Sequence, residues 1–335
     1  MAGGPNTPEL ASAVANNGGV GSFGFSYSKP EVIDENLTAT KKLTKGPINC
    51  NFFVFQPITL PPQELLSDAI EALKALPITD GIEISAPIEP FYPDLDRQLE
   101  VIWEHRPEIL TFHFGLPRRE ILEKASALGI SVGVTATNLD EANSIQEVGA
   151  NFIVAQGVEA GGHRGTFDEN QEDEELSLSD LLKSLAGEIE IPLVAAGGVM
   201  NGSDVAACIK KGAIAAQLGT AFLCCDEAGT SETYRWFLLN ESERGTKFTR
   251  SFSGRRARGI DNLFMKLMEN KAILPFPAQN MMTSIVRKLA SDRGEGEYQS
   301  MWAGSAFEKI RGLPAAKLME DLGSELDLFR SKTKT

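Results

Sequence analysis

Short apolar and β-branched runs alternate with amphipathic helical stretches from residue 19 to about residue 240. The runs at 19–24, 47–54, 109–114, 131–136, 151–155, 191–196 and 213–218 read as strands. The stretches at 30–43, 62–76, 118–128, 138–147, 176–186, 201–210 and 230–240 read as helices. Asn138 is placed to cap one of them, and Gly149 and Gly212 to stop two. Strands joined through helices run parallel, because the helix carries the chain back along the sheet. The expected fold class is therefore α/β, as a (β/α)8 TIM barrel. Seven strands can be counted, where a closed barrel needs eight. The chain opens on Met1-Ala-Gly-Gly4, which reads as a βα-loop, followed by a helical stretch at 8–15. The expectation is that the first barrel strand is missing from this chain.

Two regions break the rhythm. Residues 84–107 are proline-rich and read as an irregular insertion containing a helix at 95–104. After residue 248 the strand signal is lost, and helices are expected at 259–269, 278–289, 298–307 and 315–329. The expected organisation is a barrel over 1–247 and a mostly helical C-terminal region over 248–335 packed on it.

The 335 residues are 42% hydrophobic and 23% charged, an ordinary globular balance. Against 46 acidic residues stand 32 basic ones, a net charge of −14. That balance argues against nucleic acid and against an anionic membrane surface as partners. No apolar run approaches the roughly 20 residues of a membrane-spanning helix. The opening residues carry neither a basic nor an apolar leader segment, so a cytoplasmic location is expected. Cys50, Cys208, Cys224 and Cys225 show no metal-ligand spacing and read as reduced thiols, and no metal is expected. Assembly into a homo-oligomer is left open.

Three βα-loops carry the chemistry. The first, Ala155-Gln-Gly-Val-Glu-Ala-Gly-Gly-His-Arg-Gly165, has four glycines in eleven residues. Glycine lets backbone approach a ligand closely, and His163 among them brings a group that titrates near neutrality. The alternative is a flexible loop with an incidental histidine; the glycine context favours a pocket. The second and third loops, Ala195-Ala-Gly-Gly-Val199 and Gln217-Leu-Gly-Thr220, follow the last two strands. This ordered pair matches a phosphate-binding arrangement of barrels, in which backbone N–H groups and a helix N-terminus face the anion. Thr220 adds a hydroxyl donor.

Other residues say less. Asn51 inside an apolar strand needs a hydrogen-bond partner, from backbone or from a cofactor amide. His113 faces the pocket or is a satisfied core histidine. The acidic run 168–175 reads as a solvated loop, and the basic run 255–258 as salt-bridge donors or a guide for an anion.

Taken in order, these segments resemble the nitronate monooxygenase family, FMN-dependent barrels once called 2-nitropropane dioxygenases. The resemblance rests on Met1-Ala-Gly-Gly-Pro-Asn-Thr-Pro-Glu-Leu10, Asn51-Phe-Phe-Val54, Phe112-His-Phe-Gly115 and Gln156-Gly-Val-Glu-Ala-Gly-Gly-His-Arg-Gly165. It continues through Ala196-Gly-Gly-Val199, Gln217-Leu-Gly-Thr220 and Gly254-Arg-Arg-Ala-Arg-Gly259. It implies FMN contacts from Asn51, Gln156, Gly161, Gly197 and Gly198. It implies a phosphate grip from Gln217, Leu218, Gly219 and Thr220, and places Met1 near the flavin. His163 would be the catalytic histidine, holding an anionic nitronate or removing the α-proton of a neutral nitroalkane. The implied reaction turns alkyl nitronates, such as propionate 3-nitronate, and O2 into carbonyl compounds and nitrite. The family's first strand lies ahead of the counterpart of Met1, and a chain without it is expected to hold flavin poorly. Two other readings are a flavin-dependent enoyl-thioester reductase, needing a nicotinamide and an acyl carrier, and an inactive flavin-binding protein.

Overall fold

A computed structural model describes residues 4–59 and 61–332. Its ten strands are β1 (Gly21–Gly24), β2 (Ile48–Phe53), β3 (Ile109–His113), β4 (Ser131–Ala136), β5 (Phe152–Gln156), β6 (Gly162–His163), β7 (Leu193–Ala196), β8 (Ala215–Gln217), β9 (Thr246–Thr249) and β10 (Ala257–Ile260). Seven form one parallel sheet in the order β1-β2-β3-β4-β5-β7-β8, curled with helices outside it as a TIM-barrel-like α/β fold. The central strands are apolar on one face, where Cys50, Phe52, Leu110, Phe112, Val132 and Val134 are buried in register against the helices, while the other face carries Asn49, Asn51, Thr111 and Thr135. A fully buried phenylalanine such as Phe112 stabilises the fold by roughly 2–3 kcal/mol.

Among the described residues the sheet does not close, since β1 and β8 are not paired. The two edges differ. At β1 the side-chain amide of Asn6 donates to the Ser22 carbonyl (3.1 Å) and accepts from the Gly24 amide (3.3 Å). It thereby stands in for one peptide of a neighbouring strand. At β8, Ala215 and Gln217 are exposed, and so is Ile214 beside them, at 65%.

A second core lies outside the barrel. It joins Leu66, Leu73 and Phe91 to Phe252, Phe264, Leu274 and Val286, so the segment after β2 and the C-terminal region pack together. Helices Ala278–Met282 and Ser284–Arg293 lie where one was expected, and Ala315–Lys332 ends the described chain. That last helix packs on Gly202–Lys210 so closely that a Cβ on Gly202 would lie 2.3 Å from the Leu322 carbonyl oxygen.

The C-terminal reading needs two corrections. Of the helix expected at 259–269 only Leu263–Leu267 is helical; Ala257–Ile260 is a strand and forms a small antiparallel sheet β6-β10-β9. Residues 298–307 are not helical. One-turn 3-10 segments lie at Gly296–Tyr298 and Phe307–Lys309, with irregular chain between. The Met301 carbonyl accepts from Ile260, the Gly304 amide donates to Thr220 Oγ1, and the Ser305 amide donates to Glu159. Backbone groups held by other segments cannot also form a helical ladder.

Candidate functional site

The glycine-rich loop after β5 folds back as β6 and pairs with β10, with His163 opposite Ala257 and Gly162 opposite Arg258. Gly162 has φ +78°, a left-handed value that favours glycine. Gly161 has another reason to lack a side chain: a Cβ there would lie 2.5 Å from the Ala303 carbonyl carbon and the Gly304 nitrogen. Its close approach is thus to the C-terminal chain.

Gln156 holds the loop from within. Its Nε2 donates to the His163 carbonyl (2.9 Å), and its Oε1 accepts from the Gly165 amide (2.8 Å). His113 donates through Nε2 to the same His163 carbonyl (3.2 Å). It is therefore a satisfied histidine that braces the loop. Arg164, only 1% exposed, forms a fork with Asp173 (2.8 and 2.9 Å) and donates to the Gln156 carbonyl (2.9 Å). Arg256 adds a second cation on Asp173 (3.1 Å) and pairs with Glu175. Burial alone would raise the Asp173 pKa, but the Arg164 bonds hold it below its ordinary value. The acidic run is therefore not simply solvated, because Asp173 is an internal strut of the loop.

The His163 ring sits among Phe53, Phe114, Phe276 and Trp302, with ring centroids 5.6–6.0 Å away. Phe55 extends this aromatic wall, stacking on Tyr92 at 4.2 Å and on Phe276 at 5.6 Å. Phe114 has φ +76°, a conformation that costs a bulky residue of order 1–3 kcal/mol and occurs at ligand sites more than elsewhere. Burial lowers the His163 pKa to about 3, and His113, Arg255 and Arg287 push it the same way. Burial thus favours the neutral ring near pH 7. Arg255 lies over the Phe114 ring at 3.9 Å and donates to the Thr166 carbonyl. The Nε groups of Arg255 and Arg287 and the Tyr27 hydroxyl are buried with no hydrogen-bond partner among the described residues. Unpaired buried donors of this kind are costly.

The other end of the site is made of backbone. Gly197 and Gly198 have φ +128° and +66°. A Cβ on Gly219 would meet nothing within 4 Å, so that edge is open. None of the hydrogen bonds among the described residues uses the Gly219 or Thr220 amide. Thr220 Oγ1 accepts from the Gly304 amide (2.9 Å), which leaves its own proton to donate. Gln217 is exposed and Leu218 half-buried beside them. One expectation fails here. The N-terminus of helix Gly202–Lys210 does not face an open site, because the protein's own groups fill it. Asn201 caps Asp204 (2.8 Å), Asp204 accepts from Met200 (3.0 Å), and Glu325 accepts from Gly202 (2.7 Å). The open donors belong instead to the turn at Gly219 and Thr220.

Asn51 finds neither a backbone partner nor a free setting. Its Nδ2 donates to Thr111 Oγ1 (3.0 Å), which donates on to Asn49 (3.1 Å). Its Oδ1 has no partner among the described residues. Met1 lies outside the described residues. Sequence reasoning missed Tyr27, Asp173, Ser253, Phe276, Arg287 and Trp302. No local pattern marks them, although the Gly254-Arg-Arg-Ala-Arg-Gly259 segment pointed to the turn beside Ser253.

The nitronate monooxygenase family profile matches residues 1–325. The chain belongs to the nitronate monooxygenase family. It is 38% identical to the nitronate monooxygenase of Paraburkholderia phytofirmans, across 96% of this chain and 90% of that protein. Its fold is similar to that of a nitroalkane oxidase from Streptomyces ansochromogenes, with TM-score 0.93 and 34% identity over 99% of this chain and 95% of that one. FabK from Thermotoga maritima matches with TM-score 0.75 over 100% of this chain and 93% of its own, at 23% identity. That last likeness is one of fold. As a member of the nitronate monooxygenase family the chain is an oxidoreductase. Among the described residues no helix is long and apolar enough to cross a membrane.

Proposed function

We propose that this family member binds FMN and oxidises alkyl nitronates, such as propionate 3-nitronate, with O2 to carbonyl compounds and nitrite. The observation that carries the reading is the juxtaposition at His163: an imidazole walled by aromatic rings, one of which, Phe114, carries the Arg255 guanidinium 3.9 Å above it. The residues present fit a flavin mononucleotide. The open Gly219 edge, the Gly219 and Thr220 amides and the Thr220 hydroxyl suit its phosphate. Gly197 and Gly198 leave room along the same rim, and the free Asn51 Oδ1 suits an N–H of the ring. Gln217 and Leu218 would flank the phosphate end, and Gln156 and Gly161 would shape the floor through the loop. When bound, the flavin supplies the electron acceptance that side chains lack.

The side chains then have separate tasks. A nitronate is a delocalised anion, and the desolvated Arg255 and Arg287 guanidiniums stabilise it in a setting of low effective dielectric. Phe53, Phe114, Phe276 and Trp302 exclude water. Neutral His163 accepts the α-proton when the substrate arrives as a nitroalkane, general-base help that grows as the anion forming beside it raises the imidazole pKa toward the working pH. The loss of the C–H proton leaves its electron pair on the nitro group, giving the nitronate in place.

The test is an absorbance spectrum of the purified protein, followed by propionate 3-nitronate in air with oxygen uptake and nitrite recorded. A flavin spectrum with oxygen consumed and nitrite released supports the reading. A flavin spectrum with no turnover, or oxidation of a nicotinamide that depends on an enoyl thioester, overturns it.

A further inference from the structure

Which nitrogen of His163 does the work is decided by a residue outside its loop. Ser253 is fully buried, and its Oγ lies 2.9 Å from His163 Nε2. The same hydroxyl lies 3.0 Å from the Arg255 carbonyl oxygen and 3.3 Å from the Arg255 amide nitrogen. A hydroxyl has one proton to give and two lone pairs to receive. The carbonyl only accepts and the amide only donates. The hydroxyl proton therefore goes to the Arg255 carbonyl, and the Arg255 amide takes one lone pair. The remaining lone pair faces His163 Nε2, which must then carry a proton.

We infer that Ser253 holds His163 in the Nε2–H tautomer, so that Nδ1 is the atom that takes the substrate's α-proton. No hydrogen bond among the described residues uses His163 Nδ1, so its lone pair is free. In the step, the substrate C–H bond breaks, an Nδ1–H bond forms, and the electron pair moves into the nitro group. The Nε2–H bond to Ser253 is kept throughout, and it orients the resulting imidazolium. Ser253 acts through His163, and is a positioning residue. Its own place does not depend on its hydroxyl. The backbone around it is held by Gln279 Nε2 on the Ser251 carbonyl (2.8 Å) and by Thr283 Oγ1 on the Phe252 carbonyl (2.5 Å). The inference rests on the proposed reaction only for the identity of the substrate, because the tautomer follows from the hydrogen bonds alone.

Nitrogen-15 NMR of the histidine-labelled, flavin-loaded protein reads the tautomer directly. With only three histidines in the chain, a His163→Asn spectrum assigns the His163 signals. A pyridine-type Nδ1 and a pyrrole-type Nε2 are expected; the reverse pattern overturns the inference. A second arm compares neutral nitroethane with pre-formed ethyl nitronate. In Ser253→Ala, kcat/KM for nitroethane is expected to fall about tenfold or more, the scale of one lost orienting hydrogen bond. The value for ethyl nitronate, which has no proton to lose, should stay within about twofold. Equal losses on both substrates, or none on either, would remove Ser253 from the reaction. Absence of nitronate oxidation in the unmodified enzyme would count against the proposed reaction while leaving the NMR result intact.

Discussion

At the Gly219 end the candidate site is backbone: three glycines, two amides and one hydroxyl, all within the loops after β7 and β8. At the His163 end it is side chain: rings and cations from positions as far apart as Tyr27, Phe53, Phe114, Arg255, Phe276 and Trp302. The first end needs absence of bulk. The second needs desolvation, and the same burial that walls the pocket keeps His163 neutral. A change at one end should therefore alter cofactor retention, and a change at the other should alter turnover.

The sharpest way to break this division is Gly219→Val. The new side chain fits the open protein but occupies the space above two free amides. The expected result is colourless purified protein with an unchanged circular dichroism spectrum; a yellow variant would mean that the phosphate lies elsewhere. His163→Asn should do the converse, keeping the flavin spectrum while nitroalkane turnover falls by about 10²–10⁴-fold. Turnover at the level of the unmodified enzyme would take His163 out of the chemistry.

Arg164→Met tests what holds the two ends in register. It leaves Asp173 with Arg256 as its remaining cation, and breaking a buried pair costs about 3–5 kcal/mol. A denaturant titration should show that loss, toward the lower figure because Arg256 persists. A change below about 0.5 kcal/mol, the range of ordinary surface substitutions, would show that the strut carries little.

Acid should weaken the His163 end first. His113 and His163 are both lowered from 6.5 to about 3 by burial. Between those values the unfolded chain binds more protons than the folded one, so stability rises with pH across the window. Unfolding midpoints are expected to drop as the pH falls from 6.5 toward 3, and to lose part of that slope in His113→Gln. An equal slope in that variant would trace the acid response to other groups. Phe55→Ala should give the smallest effect. Losing its stack on Tyr92 removes about 0.5–1.5 kcal/mol beyond area burial. KM for bulky nitronates should shift by a few-fold, with flavin content unchanged; loss of flavin there would merge the two ends.

How far the sequence was readable follows the same line. The helix at 30–43 and the strand at 131–136 fall where local periodicity places them, Pro30–Leu43 and Ser131–Ala136. Their signals are complete within a few residues. The 298–307 segment shows the limit. Tyr298, Met301, Ala303 and Phe307 are buried apolar residues at nearly helical spacing, yet the backbone serves Ile260, Thr220 and Glu159. Spacing cannot reveal that a distant segment has taken the hydrogen bonds. At the site, His163 and the glycine pairs were visible because those residue types are informative in themselves. Ser253 and Arg287 were not, because a serine and an arginine acquire meaning only from what they face.

The parallel α/β sheet, the order of its glycine loops and the presence of a histidine in one of them were determined by the sequence itself. Strand period and glycine's missing side chain are local properties, and no fold is needed to read them. The tertiary structure decided that Asp173 is a strut and that Glu325 fills a helix end expected to meet an anion. It also decided that His163 is neutral. Protonation state depends on desolvation and on charges summed over every neighbour, and those neighbours meet only when the chain is folded.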